Sequence, residues 1–452
     1  MNFHLGKPIF VMLVIALLCG ASVMLRQREQ PKGELTVWVF ADSHYKSFQP
    51  LVETFGKQHN CKVTLNILSG RALAVRLSQL FMADPKSDQI PDVVEMEISL
   101  VGRFFRPPVA DVGFEPLNDR LKSSGWYDKI VETRFAPWSK EGTIFGVPHD
   151  VHPTTIVYRD DLFREAGVDL AQAKTWPQFH EACLQFESYW LRKGYPTRHA
   201  FELTESSADD LQKILLQRGI NPIDSYNQLH LNDPRVAQTL AFYAQMVAGP
   251  KKVNVQTQVS MVALSKDLTE GNICALITPD WRYTYVKRYG AAVSGKFRMM
   301  PMPVFDPTDK PTSTWGGTMM GITKACKNKE LAWELVQYLY FSKDGFDSRR
   351  HFTEILPPIK EMWANPVFHQ PDPFLGGQKG QELFTELAPQ IPPRYVTPAT
   401  GVVGQALNDA VVEAVAYINS NGTDGLEPWC ARRLADIQEH LEGRMKQWRF
   451  EQ

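Results

Sequence analysis

The chain has 452 residues, 44% of them hydrophobic and 22% charged, with a formal net charge of −1. That length exceeds one small core and calls for two or three domains or lobes of ordinary globular composition. The near-zero charge gives no reason to expect nucleic acid or an anionic membrane surface as partner.

In chain order, Lys7 precedes an uncharged apolar run over 9–25, closed by Arg26 and Arg28. As a helix this run is roughly 26 Å long, a little short of the ~30 Å hydrocarbon layer. Residues 1–33 therefore read as a cleaved export signal or as a retained N-terminal membrane anchor. Small residues around Cys19 permit cleavage, whereas the arginines just beyond favour the anchor. Leu17-Leu18-Cys19-Gly20 is similar to a lipoprotein signal, except that Leu18 is larger than the usual residue before the cysteine. Either way the body is exported, to a periplasmic or extracellular location.

The body opens with a strand at 34–40 (ELTVWVF), a polar turn, and a helix over 45–58 that Ser43 is placed to cap. A second strand at 61–67, a helix at 71–82 and a third strand at 90–96 continue a β-α-β-α-β order. This is the start of a parallel sheet covered by helices. Helices are predicted at 117–121 and 126–135, then strands at 142–148 and 154–158. A helix at 160–166 stops at Gly167, and Thr175-Trp176-Pro177 starts another, with threonine as cap and proline in the first turn. The segment 203–247 is mostly helical. Strands follow at 273–278, 296–301 and 318–323. A strongly amphipathic helix is predicted at 329–341, and further helices at 402–418 and 428–448.

The six cysteines, at 19, 61, 183, 274, 326 and 430, form no CxxC pair. Five lie beyond the N-terminal segment, which admits one or two disulfides but no complete framework.

The stretch 271–285 (GNICALITPDWRYTY) organises the rest. Its apolar strand ends at Pro279, and Asp280 and Trp281 follow at once. Ligands of open α/β sheets sit beyond the carboxyl ends of the strands. A carboxylate beside an indole there suits a polyhydroxylated ring with one polar edge and one C–H face. The other reading is that Trp281 packs between helix and sheet. Further candidates past strand ends are Ser43 and His44, Glu97, Asp150, and Trp315, Gly316 and Gly317, the glycines allowing close backbone approach.

Catalytic patterns are sparse. Asp150 and Asp280 would serve as the two carboxyls of a glycoside hydrolase, but no local motif pairs them. Ser43-His44-Tyr45-Lys46 matches SxxK without its KTG partner. His149-x-x-His152, with Asp150, is either a metal-binding pattern or a polar turn. A phosphate-bearing ligand would call for arginine, for which Arg282, Arg349 and Arg350 are available.

Several blocks, in order, resemble one family. They are GVPHD at 146–150, IVYRDDLFREAG at 156–167, TWPQF at 175–179, GNICAL at 271–276 with Trp281, WGG at 315–317, and the 329–341 helix followed by Pro357. Together they are similar to the extracellular solute-binding proteins of bacterial ABC uptake systems, in the carbohydrate-binding group that includes maltose-binding protein. Arg159 departs from the asparagine usual after the tyrosine. The resemblance implies an α/β, two-lobe, type II periplasmic-binding-protein fold with a ligand cleft between the lobes. It places lobe 1 at 34–147 and 275–325 and lobe 2 at 148–274 and 326–452. It also implies a non-enzymatic importer component without cofactor or metal, which takes a small carbohydrate or polyol to permease subunits. Ser43, His44, Glu97, Asp150, Asp280, Trp281, Trp315, Gly316 and Gly317 would contact the ligand. A ligand sensor serving a membrane receptor and a glycoside hydrolase remain the alternatives.

Overall fold

The computed structural model describes residues 12, 14, 15, 33–106, 108–255 and 261–450. Nearly all of the N-terminal apolar run, with its readings as signal or anchor, lies outside the described residues. Among those described, no helix is long and apolar enough to cross a membrane.

Two sheets carry the molecule. The first has five strands: β1 (Glu34–Val39), β2 (Lys62–Ile67), β3 (Val93–Glu97), β4 (Val147–Pro148) and β8 (Thr318–Ile322), in the order β2-β1-β3-β8-β4. β1 pairs in parallel with β2 and β3, as the β-α-β-α-β pattern predicts, while β8 runs antiparallel to β3 and β4. Alternation along β1 sends Leu35, Val37 and Val39 to one face and Trp38 to the other, so each face has its own apolar core. The second sheet has three antiparallel strands, with β5 (Thr154–Arg159) between β6 (Ala275–Pro279) and β7 (Phe297–Pro301). Here Val157, Leu276 and Met299 face one core, and Ile156, Ile277 and Met300 face another.

Helices cover both sheets. On the first lie α1 (Asp42–His59), α2 (Gly70–Ala83), α7 (Lys329–Phe341) and α8 (Lys343–Phe352). On the second lie α3 (Trp176–Arg192), α4 (Asp209–Gln217), α5 (Pro234–Val247), α6 (Asp280–Tyr289), α9 (Thr400–Asn421) and α10 (Leu426–Phe450). α3 begins as its sequence predicts. Thr175 accepts from the Gln178 backbone, and the Gln178 side chain accepts in return from the Thr175 N–H.

Two connections pass between the sheets side by side, the residues between β4 and β5 and those between β7 and β8. Thr154 N–H donates to Thr312 Oγ1 (3.0 Å), and Ser313 N–H donates to Thr154 Oγ1 (2.9 Å).

Several expectations change. Residues 275–279, assigned from the sequence to lobe 1, pair with β5 in the second sheet. The 329–341 helix, assigned to lobe 2, packs on the first. Neither partner sheet has a local signal, because both contacts join segments remote in the chain. α1 starts at Asp42 with Ala41 at the cap position, so Ser43 lies inside the first turn and caps nothing. The helix expected at 126–135 is reduced to a 3₁₀ segment, Glu132–Trp138. The strand expected at 142–148 is broken into Thr143–Ile144 and Val147–Pro148. Between these pieces Gly146 is required by close packing, since a Cβ there would lie 2.2 Å from Met319 Sδ. Cys61, Cys183, Cys274, Cys326 and Cys430 are all free thiols, so the one or two disulfides that the cysteine count admits do not form among the described residues.

Candidate functional site

A cavity of about 730 Å³ opens between the carboxyl ends of the two sheets' strands. From the first sheet come the turn after β1 (Phe40 to His44, and Lys46) and the segment after β3 (Glu97 to Ser99). The connections contribute Asp150, His152, Trp315, Gly316 and Gly317. The second half contributes Trp281, Thr284, Tyr285 and Arg288 from α6 and Asp209 from the start of α4, while the loop before α9, which packs on the first sheet's core through Val396, contributes Arg394. Eight of the nine residues singled out from the sequence thus meet in one cleft: Ser43, His44, Glu97, Asp150, Trp281, Trp315, Gly316 and Gly317.

Asp280 is the exception. Pro279 turns the chain, and the next side chain is fully buried behind the wall. One of its oxygens takes His152 Nδ1 (2.5 Å) and the Trp281 backbone N–H (2.7 Å), and the other takes the Leu356 N–H (2.7 Å). Fully buried and hydrogen-bonded through both oxygens, the carboxylate holds the wall and does not line the cleft.

Asp150 is equally occupied. Arg134 donates to its Oδ1 (2.7 Å) and its backbone carbonyl (2.9 Å), and the Thr318 N–H (3.0 Å) and His152 Nε2 (3.1 Å) meet Oδ2. Burial alone would raise this carboxyl, but His152, His149 and Arg134 outweigh it and hold it well below the usual carboxylate range. His152 therefore stands between two buried carboxylates. Burial would lower its pKa, yet Asp150 and Asp280 together raise it to about 9, which leaves a charged imidazolium at neutral pH. These two aspartates share one histidine and are closed off by the fold, so they are not a general acid and base facing across a glycosidic bond. His149 Nδ1 (3.4 Å) and His152 Nε2 (3.1 Å) both face Asp150 Oδ2, but both ring nitrogens of His152 are taken up by Asp150 and Asp280, which leaves this trio a salt-bridge network.

The aromatic wall is pinned. Trp281 donates its indole N–H to the Trp315 carbonyl (2.9 Å), and the two rings meet edge to face with centroids 5.1 Å apart. The buried Lys213 ammonium lies 3.5 Å from the Trp315 ring centre and covers one of its faces. Gly316 and Gly317 adopt φ values of +88° and +149°. A Cβ at Gly316 would come within 3.2 Å of Trp281 Nε1, and one at Gly317 within 2.5 Å of Arg134 Nη2. The glycines here are demanded by the protein's own close packing.

The opposite wall is less committed. Glu97 accepts from the Ser99 N–H (2.9 Å) and the Ser99 hydroxyl through one oxygen, leaving the other toward the cleft. Burial raises its pKa, partly offset by Ser99 and by the nearby Arg394 charge. Arg394 makes no hydrogen bond among the described residues, and burial depresses its pKa against the pull of Asp209 and Glu97. Arg394 is the main residue that sequence reasoning missed, and nothing in its loop announces it. Tyr285 was legible, since it lies one turn after Trp281 on the same helix face. Arg282, Arg349 and Arg350 do not line the cleft.

The chain matches the model of the bacterial extracellular solute-binding protein family over residues 51–373. The chain belongs to that family. Among curated relatives of this solute-binding protein, the arabinooligosaccharide-binding protein of Bacillus subtilis is 23% identical, covering 84% of this chain and 86% of that one. The arabinooligosaccharide-binding protein of Halalkalibacterium halodurans is also 23% identical, over 75% of each chain. The lactose-binding protein of Rhizobium radiobacter is 22% identical, over 83% of this chain and 85% of its own. Of solved structures, the sugar-binding protein MalE from Xanthomonas citri superposes with a TM-score of 0.73 at 20% identity, covering 93% of this chain and 99% of that one. The fold is the type II periplasmic-binding-protein fold, two α/β lobes with the cleft between them.

Proposed function

We propose that this protein is the exported solute-binding component of an ABC importer, capturing a sugar or related polyol between two closing lobes and delivering it to permease subunits. One observation carries the reading. A single cleft brings fixed indoles, Trp281 and Trp315, opposite polar groups that the protein leaves unspent, Glu97 and Arg394. Indole faces take the C–H faces of a pyranose, and the polar groups take its hydroxyls. The oligosaccharides and lactose named for the relatives point the same way.

In this reading Ser43, His44, Glu97, Trp281, Trp315, Gly316, Gly317 and Arg394 touch the ligand, while Asp150 and Asp280 hold the walls in place. One lobe moves with the five-stranded sheet and the other with the three-stranded sheet. The paired connections around Thr154 and Thr312 serve as the hinge. Ligand contacting both walls favours closure by as much as it binds the closed state better than the open one. No bond of the ligand is broken, and no cofactor or metal takes part in its capture. Residues 1–33 carry export or tether the protein to the membrane, and the body works in the periplasm or outside the cell.

Thermal-shift screening against a sugar library tests this. A ligand at 100 times its dissociation constant should add about 2.7 kcal/mol of stability. If no sugar or polyol shifts the melting temperature, or the protein turns over the sugar that does, the reading fails.

A further inference from the structure

Alternation along β3 directs Glu95 to the same face of the first sheet as Val93, opposite Val94 and Met96, where it is fully buried. A carboxylate there has to be matched by partners. Two are present, as His44 Nδ1 lies 2.9 Å from Oε2 and the Tyr340 hydroxyl donates to Oε1 at 2.8 Å. Beside them His149 is also fully buried, its ring centre 4.4 Å from that of His44 and 5.0 Å from that of Tyr340. His149 Nε2 has no hydrogen-bond partner among the described residues, and Nδ1 stands 3.4 Å from Asp150 Oδ2 without forming a hydrogen bond.

We propose that His44, Glu95 and His149 form a binding site for one divalent transition cation of the zinc class, set behind the solute cleft. Ring nitrogens of the two histidines and an oxygen of Glu95 all lie within 4.8 Å of one another. Two imidazoles and a carboxylate are a zinc-type donor set, and ligand atoms around tetrahedral zinc stand about 3.4 Å apart, so binding brings His149 closer and exchanges the His44–Glu95 hydrogen bond for two bonds to the ion. The surroundings resemble the outer shell of such a site. Asp150 faces His149 Nδ1 and would orient the ring with Nε2 as the ligand atom, and Tyr340 holds the far oxygen of Glu95. Because His44 also lines the cleft, an ion can enter from the solute side. The nearby Arg349 guanidinium, which donates to the His149 carbonyl at 3.1 Å, opposes a cation and keeps the affinity modest.

The full chain, stripped with a chelator, is titrated with Zn²⁺ by calorimetry and with Co²⁺ by visible absorption. The site predicts one ion per chain and the d–d bands of four-coordinate Co²⁺. His149→Gln should weaken binding at least about 100-fold, while His369→Gln, at a surface histidine paired with Glu382, should leave it unchanged. A wild-type protein without these bands or without a 1:1 ion overturns the site. So does a folded His149→Gln protein that binds as the wild type does. If that variant fails to fold, the cobalt spectrum of the wild type decides alone.

Discussion

On the cleft wall carried by α6, Trp281 is fixed at both ends, its backbone N–H on Asp280 and its indole N–H on the Trp315 carbonyl. On the opposite wall Glu97 keeps one oxygen free, and Arg394 has the charges of Asp209 and Glu97 near it but no hydrogen bond among the described residues. The first wall is pre-formed, so a ligand stacking on it loses little to ordering the protein. Under the proposed function the second wall is satisfied only by a ligand with hydroxyls, and mismatched ligands leave polar groups unpaired. Under that proposal shape is set on one side and selectivity on the other.

The largest effect should come from breaking the support under the rigid wall. Arg134→Met leaves the fully buried Asp150 without its guanidinium, and such losses cost about 3–5 kcal/mol. Urea unfolding at pH 7 measures it. The His152 salt bridge gives a pH signature of similar size. Its folded pKa, about 9, lies above the ordinary 6.5, so its stabilisation is complete below pH 6.5 and is lost as pH rises through 9. Roughly 3 kcal/mol is at stake by the usual conversion. Unfolding midpoints of the wild type should fall across this window, and those of His152→Gln should stay flatter.

Trp281→Ala should remove the stacking face, abolishing the ligand-induced stabilisation of about 2.7 kcal/mol while the unliganded protein stays folded. The smallest changes belong to the uncommitted wall. Glu97→Gln and Arg394→Ala should each weaken sugar affinity by about 1–2 kcal/mol in calorimetry and leave unliganded stability almost untouched. Equal losses of unliganded stability in these two variants would erase the difference between the walls.

Much of this cleft was legible because its residues follow strands directly. A strand ending in Pro279 locates residues 280 and 281 at the rim, and the turns after β1 and β3 do the same for Ser43, His44 and Glu97. Sequence pattern does not tell which of two neighbours faces inward, and Asp280 turned into the wall while Trp281 lined it. Arg394 was invisible, since an irregular loop has no periodicity to reveal its facing. The parallel order of β1 to β3 was readable from local alternation. The pairing of β6 with β5 and the seating of α7 on the first sheet depend on contacts distant in sequence, and the lobe boundaries shifted there.

The most direct measurement is a crystal structure of the protein with the sugar that stabilises it most. The ring should lie against Trp281, with Glu97 and Arg394 within hydrogen-bonding distance of its hydroxyls and its covalent structure intact. Sugar density outside the cleft, or a bound sugar with Trp281 untouched and Glu97 and Arg394 still unpartnered, would contradict capture between these two walls.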